Sequence, residues 1–166
     1  MAFPQYQKHA IFILLAALVQ TTVLPQLWFL RIKPDLLLIL AMLIAMNAKS
    51  LAGGIIPALC AGLLKDFFGL HFFGFNGLLM ALSASCVYGI FHFLNKESKG
   101  IKFFIIIFAS LMNYIALTII SRKPYIFLCF PEAAINCLFL PFLESVYNFF
   151  TTPLSREGRA IGYAHK

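Results

Sequence analysis

Charge is what this sequence has least of. Thirteen Lys and Arg with six Asp and Glu make up 11% of its 166 residues, where a water-soluble domain carries about 25%. With 61% hydrophobic residues and a mean hydropathy of +0.89, there are too few polar side chains to give most helices a wet face. A soluble globular domain is excluded, and several apolar runs approach the ~20 residues that cross a bilayer.

Other absences narrow the function. There is no Ser-His-Asp set, no H-E-x-x-H and no G-x-x-x-x-G-K-[ST], and the four histidines His9, His71, His92 and His165 lie far apart. No enzyme chemistry, cofactor or metal site is expected. The four cysteines, Cys60, Cys86, Cys129 and Cys137, form no C-x-x-C and read as small apolar packing residues. The net charge of +7 does not describe a nucleic-acid surface, because the basic residues fall where apolar runs stop. Lys8 precedes an apolar stretch as in a secretory signal, but no A-x-A-like site follows, so an uncleaved first helix is expected.

What is present parses as one all-α integral membrane domain over residues 1–166, with spans at about 10–30, 34–48, 51–68, 75–94, 101–120 and 133–150. Pro34 and Asp35 suit a helix start, since Pro needs no N–H partner there and a carboxylate complements the positive end of the helix dipole. Pro25, Pro57 and Pro141 fall inside other spans, where neighbouring helices must accommodate the kinks. Lys and Arg counted in the breaks divide eight to five, placing both termini in the cytoplasm. The short run 125–130 is too brief to cross and reads as a separate insertion or a re-entrant piece.

Small residues four apart let helices approach in lipid. The third span carries Gly54, Ala58 and Gly62, and the fourth Gly77, Ala81, Ser85 and Gly89, so these two spans are expected to form the tight centre. The fifth should turn Ala109, Asn113 and Ala116 toward protein. Gln20, Asn113, Asn136 and Glu144 are intramembrane polar residues. An ionised group in hydrocarbon costs about 2.5–3.5 kcal/mol on insertion scales, so Glu144 is either functional or a snorkelling residue near the surface.

The segment GLLKDFFGLHFFGFNG closes the hairpin between spans three and four, on the same face as Lys33-Pro34-Asp35. Gly69 and Gly74 permit a tight turn, and Asn76 is expected to cap span four. Asp66 follows Gly62 by four positions and so faces the protein interior, bonded within the bundle or to a partner.

These residues carry a resemblance over nearly the whole chain. Gln20 to Pro25, then Lys33-Pro34-Asp35-Leu36, then Gly62-Leu63-Leu64-Lys65-Asp66 with Gly69, Gly74 and Asn76-Gly77-Leu78, resemble the MreD family of rod shape-determining membrane proteins. His71 to Phe73 and the 125–130 run depart from its pattern. The resemblance implies a non-enzymatic inner-membrane scaffold of the cell-elongation (rod) complex, supporting lateral peptidoglycan synthesis. It further implies an MreC-like bitopic partner and, through it, RodA, a class B penicillin-binding transpeptidase and MreB filaments. The implied fold is a six-helix bundle similar to the substrate-binding subunits of vitamin-uptake transporters. On this reading Asp66, Phe72, Phe73, Asn76, Gly62, Gly77, Pro34 and Asp35 form the partner-binding region, and the basic breaks touch anionic lipid. The alternative is a small-molecule (vitamin) binding subunit of such a transporter, although a Phe-rich turn offers a polar vitamin few donors and acceptors.

Overall fold

The structure is a computed structural model that describes residues 5–26, 33–68, 73–93, 99–121 and 126–151. Nearly all of these residues are helical, and none of them forms a strand. Helix α1 spans Gln5–Leu18 and runs on through a π-helical turn, Val19–Val23, and a 3-10 turn, Leu24–Gln26. Then come α2 Leu36–Asn47, α3 Leu51–Phe68, α4 Phe75–Phe93, α5 Lys99–Ser121 and α6 Ile126–Thr151.

Among the described residues, four segments are long and apolar enough to cross a membrane: Gln7–Gln26, Leu51–Phe68, Phe75–Phe93 and Phe130–Thr151. The run 125–130 is not a separate insertion, because from Ile126 onward it is the start of α6. Pro131 and Pro141 both lie inside that helix and Pro57 inside α3, whereas Pro25 sits in the 3-10 turn beyond α1 rather than within a helix.

The centre of the molecule is α2, not the α3–α4 pair. The other five helices surround it in the order α1, α3, α4, α5, α6, with α6 returning to α1. Every residue from Leu36 to Met46 is buried. The run LLLILAMLIAM has no polar face, and a helix apolar all round is stable when covered on every side. By contrast α3 and α4 keep outward faces, with Ile56, Leu59, Leu78 and Leu82 exposed. Cys60 and Cys86 are on those outward faces as free thiols rather than packed inside.

Helices α3 and α4 nevertheless make the closest approach in the bundle. A Cβ built on Gly62 would lie 2.5 Å from Gly77 Cα and 2.5 Å from Asn76 O. Gly54 lies against α2, 3.2 Å from Ala45 Cα measured the same way. Beyond Gly77 the four-spaced series does not continue into the interface. Ala81, Ser85 and Gly89 are half-buried, and space around Gly89 is open. On α5, Ala109 and Asn113 face inward as expected and Ala116 is half-buried; Ile105, Ile106 and Ser110 share the buried side.

At about 1.5 Å per residue, the 12 residues of α2 are about 18 Å long, well short of the ~30 Å hydrocarbon core. One of its ends must therefore lie within the depth of the bundle. That end is the first turn, since Asp35 is 5% exposed while Asn47 at the other end is exposed.

Candidate functional site

Two aspartates organise the end of the bundle that holds the α3–α4 turn, called here the hairpin end. His9 of α1 stacks on Tyr147 of α6, with ring centroids 5.9 Å apart, so both chain ends of the bundle lie together at the opposite, terminal end.

Asp66 is 3% exposed near the end of α3 and serves the start of α4. Its carboxylate accepts hydrogen bonds from the backbone N–H of Gly74 at 2.9 Å, Asn76 at 3.3 Å and Gly77 at 3.2 Å, and from Asn76 Nδ2 at 2.7 Å. The first N–H groups of a helix have no partner within it, and they carry the positive end of its dipole. A carboxylate delivered from the preceding helix satisfies both demands. Asn76 is thus not the cap: it donates to Asp66, and its Oδ1 is buried without a partner among the described residues. Gly74 adopts φ +92°, a left-handed conformation that side chains with a Cβ avoid, and its carbonyl accepts the first bond of α4 from Leu78 N–H at 3.0 Å.

Asp35 is the N-cap of α2, two positions later than a helix starting at Pro34 would have it. Its Oδ1 accepts from Leu38 N–H at 3.2 Å and from Gln20 Nε2 at 3.2 Å, while Gln20 Oε1 accepts from Leu37 N–H at 3.0 Å. Ile39 N–H donates to Asp35 O at 3.1 Å. Its own backbone N–H donates to Asn136 Oδ1 at 2.8 Å, and Asn136 Nδ2 donates to Ser110 Oγ at 3.0 Å. The second carboxylate oxygen pairs with the Lys65 ammonium of α3. The buried start of α2 is thereby provided for by side chains of α1, α3 and α6, as a helix end away from water requires.

The π-helical turn is what aims Gln20 at this point. A π turn is wider than an α turn and turns a side chain to a direction the regular helix would not give it. Thr21 Oγ1 and Thr22 Oγ1 bond back to Ala17 O and Leu18 O, occupying carbonyls of the preceding turn.

The sequence-predicted residues therefore separate into distinct groups. Asp66, Asn76, Gly62 and Gly77 form one locked hairpin. Pro34 and Asp35 join Gln20 and Asn136 in the second cluster, and Asn113 is buried one turn along α5 from Ser110. Glu144 lies nearer the terminal end and pairs with Lys102 of α5, both side chains being partly exposed. Phe73 is 73% exposed at the turn, alongside Phe67 at 72% and Phe68 at 51%. Phe72, Gly69 and His71 lie outside the described residues.

Sequence reasoning missed Ser110 and Glu132. Glu132 stands four residues before Asn136 on α6 and interacts electrostatically with Asp35 and Lys65. That spacing would have revealed it had the last span been extended to Ile126.

A family model described as rod shape-determining protein MreD matches residues 5–151 of the chain. Neither the curated proteins nor the solved structures contain a match. The helical bundle and the family match together give the conclusion that the chain belongs to the MreD family, membrane proteins with a role in determining rod shape.

Proposed function

We propose that the protein is a non-enzymatic scaffold of the inner membrane, both termini in the cytoplasm, that holds an MreC-like single-span partner for the cell-elongation complex. Through that partner it supports lateral peptidoglycan synthesis by RodA and its class B penicillin-binding transpeptidase, in register with MreB filaments. The observation that carries this reading is the hairpin. Asp66 fixes it with three hydrogen bonds from backbone N–H groups and one from the Asn76 side chain, and the fixed turn carries exposed Phe67, Phe68 and Phe73.

Rigid apolar side chains beside a satisfied polar core suit the docking of another protein, because little side-chain entropy is lost on binding. Asp66, Asn76, Gly62 and Gly77 are buried, so their part is to hold the turn in shape, and the contact itself belongs to the phenylalanines. A vitamin-binding subunit would need polar groups free to meet its ligand, yet here the Asp66 carboxylate and the Asn76 amide nitrogen are engaged with one another.

The test is purification of the tagged protein in mild detergent from its own membranes, with co-eluting proteins identified by mass spectrometry. Recovery of a single-span protein with a large domain beyond the membrane supports the scaffold. Recovery of a paired ATPase and its membrane coupling subunit would replace it with the transporter reading.

A further inference from the structure

Lys102 and Glu144 pair at a depth where lipid, not water, surrounds the bundle. They join α5 to α6 eight residues on each helix from the Ser110–Asn136 bond. On α6 the exposed apolar surface runs on past them: Phe149 and Phe150, 80% and 51% exposed, stand five and six residues further toward the terminal end, about 8 Å at 1.5 Å per residue. On α5 the next two residues, Phe103 and Phe104, are exposed as well. The pair therefore sits inside the apolar belt and not at its rim, within the segment Phe130–Thr151 that is apolar enough to cross a membrane.

Yet the pair is open on one side. Its side chains are 25% and 29% exposed, whereas ionisable groups at membrane depth ordinarily face the bundle interior or a water-filled cavity. The contact engages Glu144 Oε1 and the Lys102 ammonium. An ammonium has three donors and a carboxylate two oxygens, so each partner keeps capacity beyond the other. Whatever lies against this side must offer charge of both signs at once, since an anion alone would meet Lys102 and be repelled by Glu144, and a cation alone the reverse. Around the pair, Ser145 is exposed at the same level and Pro141 is exposed one turn deeper in the belt. A hydroxyl thus stands beside the charges and an apolar surface lies below them.

We propose that the Lys102–Glu144 pair binds the headgroup of a zwitterionic aminophospholipid, a phosphatidylethanolamine, in the leaflet at the terminal end. The lipid phosphate accepts hydrogen bonds from the Lys102 ammonium and the Ser145 hydroxyl, and the lipid ammonium donates to the Glu144 carboxylate. Four charges then alternate in sign and close on one another, which satisfies the open side of the pair without adding net charge. The acyl chains run along Phe103 and Pro141 toward the hairpin end. Phosphatidylcholine carries the same two charges, but its quaternary ammonium has no N–H to donate, and phosphatidylglycerol has no cation to offer Glu144. The bound lipid ties α5 to α6 at an end of the bundle away from the hairpin, so the site stands independently of the partner-docking reading.

The experiment is thermal unfolding of the purified full chain, delipidated in detergent and then supplied with phosphatidylethanolamine, phosphatidylcholine or phosphatidylglycerol of the same acyl chains. A ligand bound only by the folded state raises the midpoint with concentration. The expected result is a larger rise with phosphatidylethanolamine than with either other lipid, lost in Lys102→Met and in Glu144→Gln. It should be kept in Lys49→Gln, which alters an exposed lysine at the same end. Equal midpoints in the three lipids overturn the proposal and leave the open side of the pair to water or a neighbouring protein. A larger rise with phosphatidylglycerol overturns it too, making Lys102 a plain anchor for anionic lipid. So does a phosphatidylethanolamine preference that survives both variants, which places the lipid elsewhere. Should the variants not fold, native mass spectrometry of the unaltered protein with an equimolar mixture of the three lipids decides: retention of phosphatidylethanolamine above the others supports the site, and even retention removes it.

Discussion

Gly62 and Gly77 meet backbone to backbone where α3 crosses α4. A Cβ on Gly62 would stand 2.5 Å from Gly77 Cα and 2.6 Å from Gly77 N, distances no relaxed structure tolerates. The neighbouring atoms are main chain, so no side chain can swing aside. Gly62→Ala is expected to force the helices apart and cost about 1–3 kcal/mol, the usual range for overpacking a filled interior. Gly89→Ala on the same α4 meets nothing within 4 Å and gains helix propensity, so its unfolding midpoint should equal or exceed that of the unaltered protein. Thermal unfolding of the two variants in one detergent makes the comparison.

The Asp66 carboxylate ties the end of α3 to the N–H groups of Gly74 and Gly77. Replacing it by Ala leaves buried donors unpaired, at roughly 1–3 kcal/mol for each group left unsatisfied. Asp66→Asn should be milder, because one amide oxygen still accepts but the charge that complements the α4 dipole is gone. Hydrogen exchange at Gly74, Asn76 and Gly77 should rise in the order unaltered, Asn, Ala. If partner capture depends on a fixed hairpin, it should fall in the same order.

The two ion pairs should differ in worth although their chemistry is the same. Asp35 and Lys65 have side chains 6% and 25% exposed, whereas Lys102 and Glu144 are 25% and 29% exposed. Removing one partner of a buried pair leaves an uncompensated charge and costs on the order of 3–5 kcal/mol, while an open pair contributes about 0–1 kcal/mol. Lys65→Met is therefore expected to destabilise well beyond Lys102→Met. The double variant Lys65→Met with Asp35→Asn should recover part of the loss. Equal losses for Lys65→Met and Lys102→Met would mean that the Asp35 end of α2 is reached by water.

Much of this was legible along the chain. Helix α3 runs from Leu51 to Phe68, the limits its hydrophobic run implied, and a Pro-Asp pair marks the start of α2 because capping is a local matter of side chain and adjacent N–H. Asp66 pointed inward because helical spacing from Gly62 is likewise local. The Asp35–Asn136 bond spans 101 residues, and nothing within either segment indicates the other. Ala81, Ser85 and Gly89 misled because small residues are as much at home against lipid as against a helix. The 125–130 run misled in the opposite way, reading as a piece apart where from Ile126 onward it is the start of α6.

Asn136 joins three helices with one amide, and its two atoms cannot be exchanged for two like ones. Its oxygen accepts from Asp35 N–H and its nitrogen donates to Ser110 Oγ. Asn136→Leu loses both bonds but adds no charge, leaving the Asp35 N–H unsatisfied at about 1–3 kcal/mol. Asn136→Asp keeps the acceptor for Asp35 N–H yet loses the donor, and it sets a second carboxylate beside that of Asp35. Charge repulsion in a poorly screened interior outweighs one retained hydrogen bond, so the near-isosteric Asp should be the more damaging substitution at neutral pH. Combining it with Asp35→Asn removes one of the two charges and should restore stability toward that of Asp35→Asn alone. Unfolding midpoints of Asn136→Leu, Asn136→Asp and the double variant give the order directly. An Asn136→Asp protein as stable as the unaltered one would place solvent or a cation within reach of the cluster.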